Sequence, residues 1–204
     1  MCGAFSATRR RRYPLQMKLI ALALVFGAAV GYARGGRLSR LSELRVRFAP
    51  LALLGLLLQL VNPPGRWPLV MLIGSFVLLV VFIVANLRIA GFALLLLGVS
   101  RNFAVIAANG GMPVSRAAVV ASGQIDTLEG LTHHRGVKHH LARPDDRLLF
   151  LGDVIAIPQP VGQVISLGDV FTYAGVGVVI AAAMRRRERS PALAPLQEAP
   201  GVRL

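Results

Sequence analysis

LVMLIGSFVLLVVFIVANL, residues 69–87, carries no charged side chain across nineteen positions, and that run decides the class of the fold. At 1.5 Å per helical residue it spans about 28 Å, close to the ~30 Å hydrocarbon thickness of a bilayer. Four more apolar runs flank it. Leu19–Ala33 lies between Lys18 and Arg34, and Phe48–Val61 is shorter and broken only by Pro50 and Gln59. Ile89–Ala108 is interrupted by Arg101 and Asn102, and Gly168–Met184 opens with Asp169 and ends at a cluster of arginines. With 55% hydrophobic residues, 16% charged and a mean hydropathy of +0.63, this is not the composition of a soluble domain. The expected fold class is an all-α integral membrane protein, a small bundle of about five transmembrane helices. The expected divisions are a basic extension (1–16), four spans (17–108), an extracytoplasmic loop (109–167), a fifth span (168–184) and a basic, Pro-containing tail (185–204).

The net charge of +14 does not point to nucleic acid, because the basic residues cluster at segment ends without interleaved exposed aromatics. They read as topology signals. Arg34, Arg37, Arg40, Arg45 and Arg47 face Glu43 alone, Arg88 sits between the third and fourth runs, and Arg185–Arg187 with Arg189 follow the fifth. With five spans all three groups share one side, which the positive-inside rule makes cytoplasmic. The 59 residues from Asn109 to Leu167 balance five basic against five acidic side chains and go outside. A bacterial cell membrane is the expected location, and the bilayer, a membrane-protein partner or a second copy are the expected partners. Arg9–Arg12 opposes this orientation. Met17-Lys18-Leu19-Ile20 reads as a natural start, which would make residues 1–16 an upstream extension. A cleaved signal peptide, with Gly31 and Ala33 in small-x-small spacing, is disfavoured by the basic stretch behind it. Cys2 is the only cysteine, so no internal disulfide forms.

Only nine carboxylates oppose 23 basic residues, and two of them sit in a repeated Leu-Gly-Asp-Val, at Leu151–Val154 and Leu167–Val170. An acid at the mouth of an apolar segment is expensive to bury, which makes Asp153 and Asp169 the leading candidate functional residues. The two separate on closer reading. Ser166-x-x-Asp169 has the form of a capping box at the start of the fifth helix, whereas Asp153 has no cap before it. The glycine ahead of each aspartate suits close backbone approach or positive φ. Arg101 is costly inside a span unless it snorkels or pairs with Asp169 or Asp153. Asn102 lies beside it. Gln59, Ser75 and Asn86 read as interhelical hydrogen-bonding groups. Asn109-Gly-Gly-Met-Pro113 forces a sharp turn, and Asn109 is a further candidate at that helix end.

In the loop, Val114–Gly123 reads as mildly helical and residues 124–147 as a solvated segment. His133, His134, His139 and His140 lack metal-ligand spacing and are interrupted by Arg135 and Lys138, so no metal site and no cofactor is expected. Leu148–Ile157 is too short to span and reads as a buried, interfacial or re-entrant segment, broken by Pro158 and Pro160.

Asn109–Pro113, Phe150-Leu-Gly-Asp-Val-Ile-Ala-Ile-Pro158 and Ser166-Leu-Gly-Asp169 together resemble the domain-of-unknown-function family 5317, an uncharacterised family of bacterial multi-pass membrane proteins. Gly35-Gly36-Arg37-Leu38 and Gln59 resemble it too, while the polar Ser100-Arg101-Asn102 departs from it. The resemblance implies a membrane class and no activity, substrate or cofactor. No phosphate loop, HExxH or nucleophile with a placed base occurs in the chain. The leading functional expectation is therefore a non-catalytic scaffold or subunit of a cell-envelope complex that presents its outer loop to a partner. The alternatives are a membrane-embedded enzyme acting on a lipid-linked or anionic substrate through Asp153 and Asp169, and a small proton or cation carrier using the same acids.

Overall fold

The computed structural model describes residues 16–61, 67–133 and 138–185. The expectations for the basic extension before Gln16, for His134 and Arg135 and for the tail beyond Arg185 lie outside the described residues.

Among the described residues three helices are long and apolar enough to cross a membrane: α3 (Trp67–Ala85), α4 (Phe92–Asn109) and α7 (Leu167–Met184). Two further apolar helices accompany them, α1 (Gln16–Ala33) and the shorter α2 (Ala49–Leu60). Left-handed Phe48 and Pro50 start α2, which at twelve residues is only about 18 Å long. Polar and aromatic contacts hold these helices side by side. Gln59 Nε2 donates to Ser75 Oγ at 2.8 Å, joining α2 to α3. The Phe76 and Phe103 rings stack at 5.8 Å between α3 and α4, near the fully buried Val105. Between α4 and α7 the contact is made by small residues. A Cβ on Gly98 would meet the Gly168 carbonyl at 2.5 Å, so the two backbones touch as only glycine permits.

At one end of the helices the connections are short and basic. Arg37 N–H donates to the Met184 carbonyl at 3.0 Å, so the end of α1 lies beside the end of α7. Asn86, just past α3, clamps the backbone of Arg47: it accepts from the Arg47 N–H at 2.8 Å and donates to the Arg47 carbonyl at 2.9 Å.

At the other end, the described residues between 110 and 166 fold into a cap, which corrects the all-α expectation. The cap contains a four-stranded sheet in the order β2-β1-β3-β4. Its strands are β1 (Met112–Val114), β2 (His139–Leu141), β3 (Asp153–Ile157) and β4 (Gln163–Ser166). β1 runs parallel to β2 and β3, and β3 pairs antiparallel with β4. Two short helices, α5 (Arg116–Ala121) and α6 (Ile125–His133), lie between β1 and β2. Strands of three to five residues give too little alternation to be read from sequence, and parallel pairing joins segments far apart in the chain. Within the segment expected to be a solvated loop, Ile125–His133 is accordingly helix and His139–Leu141 strand. Leu148–Ile157 resolves into a tight turn at Leu149–Leu151 followed by β3, not a re-entrant span.

Candidate functional site

α7 begins where the sheet ends, since Ser166 is both the last residue of β4 and the N-cap of the helix. Asp169 N–H donates to Ser166 Oγ at 3.0 Å, and the Asp169 carboxylate accepts from the Ser166 N–H at 3.0 Å, completing a capping box. Its other oxygen accepts from Asn102 Nδ2 at 2.8 Å, while Ser166 Oγ donates to Asn102 Oδ1 at 2.9 Å. Asn102, Ser166 and Asp169 thus form a closed ring of hydrogen bonds that ties α4 to the start of α7. An N-terminal acid also suits the positive end of the helix dipole.

Strand pairing brings the other aspartate to this junction. Asp153 lies opposite Ser166 across β3 and β4. Its side chain is 12% exposed, and Oδ2 stands 4.0 Å from Nε2 of the more open His139. Burial pushes the Asp153 carboxyl well above the usual carboxylate range, and the Asp169 carboxylate adds to the effect. Asp153 and His139 are thus two titratable groups held side by side at the edge of the cap.

Both repeat glycines make close contacts. A Cβ on Gly152 would stand 2.7 Å from the Pro113 carbonyl, and one on Gly168 would overlap Asn102 Oδ1. The repeated Gly-Asp therefore marks two places where one chain segment is pressed against another.

Arg101 does not join the aspartates. Among the described residues it forms no ion pair, and its guanidinium stacks over the Phe171 ring at 4.6 Å. One residue of helix turns the side chain by about 100°, so with Asn102 facing Ser166 the arginine is directed elsewhere. Its Nη1 is buried without a hydrogen-bond partner among the described residues. Asn109 is also apart from the ring and acts as a clamp. Its amide donates to the Val105 and Arg147 carbonyls at 2.9 and 2.8 Å and accepts from the Arg147 N–H at 2.7 Å. The same two-bond grip joins Asn86 to Arg47 at the opposite end, because a side-chain amide copies a peptide group.

Several fastenings escaped the sequence reading. Lys138 Nζ donates to the Gln59 and Val61 carbonyls at 2.6 and 3.1 Å, capping the open end of α2. Lys18 Nζ reaches the Pro160 and Val161 carbonyls at 3.3 and 3.2 Å, joining α1 to the turn between β3 and β4. Inside the cap, His140 Nε2 lies 3.1 Å from Asp146, whose side chain is 6% exposed. Burial works to raise the Asp146 pKa, but the Arg143 amide and the His140 ring outweigh it and hold the acid below its usual range. The two lysines were legible only as the chain's sole pair of lysines, which carries no hint of their partners. Among the described residues no three His, Cys, Asp or Glu side chains cluster as a metal site.

Apolar helices capped at one end by a small mixed sheet, with a closed polar ring at the junction, define the class: a mostly helical protein with, among the described residues, three helices long and apolar enough to cross a membrane. Residues 38–181 match the family of unknown function DUF5317, and the chain belongs to that family. No curated protein and no solved structure matches it.

Proposed function

We propose that the chain is a five-span membrane scaffold without a catalytic centre, which holds its folded cap at the outer face for a partner subunit of an envelope complex or for a second copy. The observation that carries this reading is the way the junction is bonded. Asn102, Ser166 and Asp169 satisfy one another, and Lys18, Lys138 and Asn109 grip backbone on the opposite side of each joint. Polar groups placed this way build a rigid mount, because their hydrogen-bonding capacity is spent on one another and on the backbone across each joint. Five spans are supported by α1 and α2 running between the same two ends as the three long helices. α1 touches the cap through Lys18 and ends beside Met184, and α2 starts at the Asn86 clamp and ends under Lys138. All the basic connections then share the end away from the cap, and the positive-inside rule assigns that end to the cytoplasm.

A Cys2→Ser background with single cysteines tests the orientation. Asp145→Cys is expected to react with an impermeant maleimide in intact cells, and Arg40→Cys only after permeabilisation. The reverse pattern would overturn the topology. The non-catalytic reading is tested by replacing the chromosomal gene with Asp153→Asn. Normal insertion and an unchanged host phenotype are expected. A mutant phenotype with a normally inserted protein would favour the second reading, proton or cation handling by Asp153, which the burial of that carboxyl 4.0 Å from His139 supports.

A further inference from the structure

An apolar groove of about 1150 Å³ runs between α1 and α7, outside the junction described above. One wall is Leu19, Leu22, Phe26 and Val30, a single stripe along α1, and the other is Tyr173 and Val178 with the small residues of α7. Two arginines, Arg34 and Arg185, close the same end of it. They are neighbours because the ends of α1 and α7 are bonded through Arg37 and Met184. Among the described residues neither has a carboxylate partner. A greasy trough with two guanidinium groups at its basic end, neither paired with a carboxylate among the described residues, matches one kind of molecule.

We propose that this groove binds an anionic phospholipid, its acyl chains along α1 and α7 and its phosphate between Arg34 and Arg185. Charge complementarity selects the occupant. Guanidinium forks bind phosphate oxygens in bidentate fashion, and basic pockets between spans at the cytoplasmic face suit anionic headgroups. The dimensions agree. Arg34 lies eight residues, about 12 Å, from Phe26, close to the ~15 Å depth of one leaflet. At mid-depth the helices pinch together, since a Cβ on Gly27 would stand 2.7 Å from the Gly177 carbonyl. The chains would therefore lie along the outside of that contact and not pass through it. A zwitterionic lipid could fill the apolar part but would bring a cationic group towards the two arginines.

The inference rests on the membrane placement proposed above but not on which face is cytoplasmic. The full chain is purified in mild detergent, exposed to equal amounts of phosphatidylglycerol and phosphatidylcholine, and its retained lipid is measured by native mass spectrometry. Preferential retention of phosphatidylglycerol is expected, falling about fivefold for Arg34→Gln or Arg185→Gln and roughly thirtyfold for the pair. Arg45→Gln, at the same basic end but outside the groove, is expected to leave it unchanged. Ala174→Phe, which narrows the trough without touching either arginine, is expected to lower retention of both lipids. Equal retention of the two lipids by the unaltered protein overturns the proposal, as does an Arg45→Gln loss equal to that of the groove arginines. Maleimide labelling reports the orientation separately, so an inverted topology with intact lipid preference would remove the cytoplasmic assignment alone.

Discussion

Gly168→Ala adds one methyl group at the tightest point of the junction, and its cost can be worked from the contacts there. The new Cβ would overlap Asn102 Oδ1 and stand 2.8 Å from the Gly98 carbonyl, so either the amide rotates away or α4 and α7 separate. Overpacking of this kind costs about 1–3 kcal/mol. Displacing Asn102 also forfeits its bond to the Asp169 carboxylate, and a bond to a charged group contributes about 1.5–3 kcal/mol. Alanine's better helix propensity returns at most ~1 kcal/mol. The net expectation is a loss of roughly 1.5–6 kcal/mol, which for a chain of this size lowers the melting temperature by roughly 3–24 °C. The control is Gly74→Ala in α3, where a Cβ meets nothing within 4 Å, so the same chemical change should be neutral or stabilise slightly. The assay is thermal unfolding of both variants in the same detergent. A second check is the Gly168→Ala, Asn102→Ala double variant, whose loss should be smaller than the sum of the singles because the methyl then displaces no amide. Equal melting temperatures for Gly168→Ala and Gly74→Ala would refute the close-contact reasoning.

Asp153→Asn should remove a pH dependence. Because the folded pKa is raised by burial and by Asp169, the contribution of this group is fully present below the unfolded value of ~3.9 and is lost as pH rises through the folded value. Stability that falls as pH rises from about 4, with a flatter profile in the variant, is the expected thermal-shift result. Asp146 has the opposite sign. Its folded pKa is lowered, so its contribution is present above ~3.9 and disappears as pH falls through the folded value. Asp146→Asn should therefore be less stable at neutral pH, and its deficit should shrink in acid. Ser166→Ala removes the cap and the Asn102 bond together and should cost about 1–2 kcal/mol by chemical unfolding. Asn109→Ala frees the Arg147 backbone, so faster amide exchange at Arg147 is expected with little change in the distant Asn86 clamp.

Some of these features were legible in the chain and others were not, for reasons that differ residue by residue. Ser166-x-x-Asp169 could be read directly, since a capping box is local and its partners lie three residues apart. Gly110 ending α4 in the left-handed conformation is local in the same way. The pairing of Asp153 with Ser166, the ring through Asn102 and the grip of Lys138 on α2 join residues 13 to 79 positions apart. No local pattern encodes them. Arg101 shows the limit from the other side. Its burial cost was evident, but whether it met an acid depended on which face of α4 turned to α7. The small Gly98 and Gly168 contact set that rotation.

Sequence alone determines that this protein is built on apolar helices, because nineteen uncharged residues in a row leave water no favourable place, and it determines which ends carry the positive charge. Only the tertiary structure decided that the described residues between the fourth and last helices form a folded cap with its own sheet, and that the two aspartates of the repeat meet at one joint with different partners. Periodicity and capping act over a few residues and are written in them. Strand pairing and helix contact act between distant segments, and their outcome depends on how closely glycine lets two backbones approach.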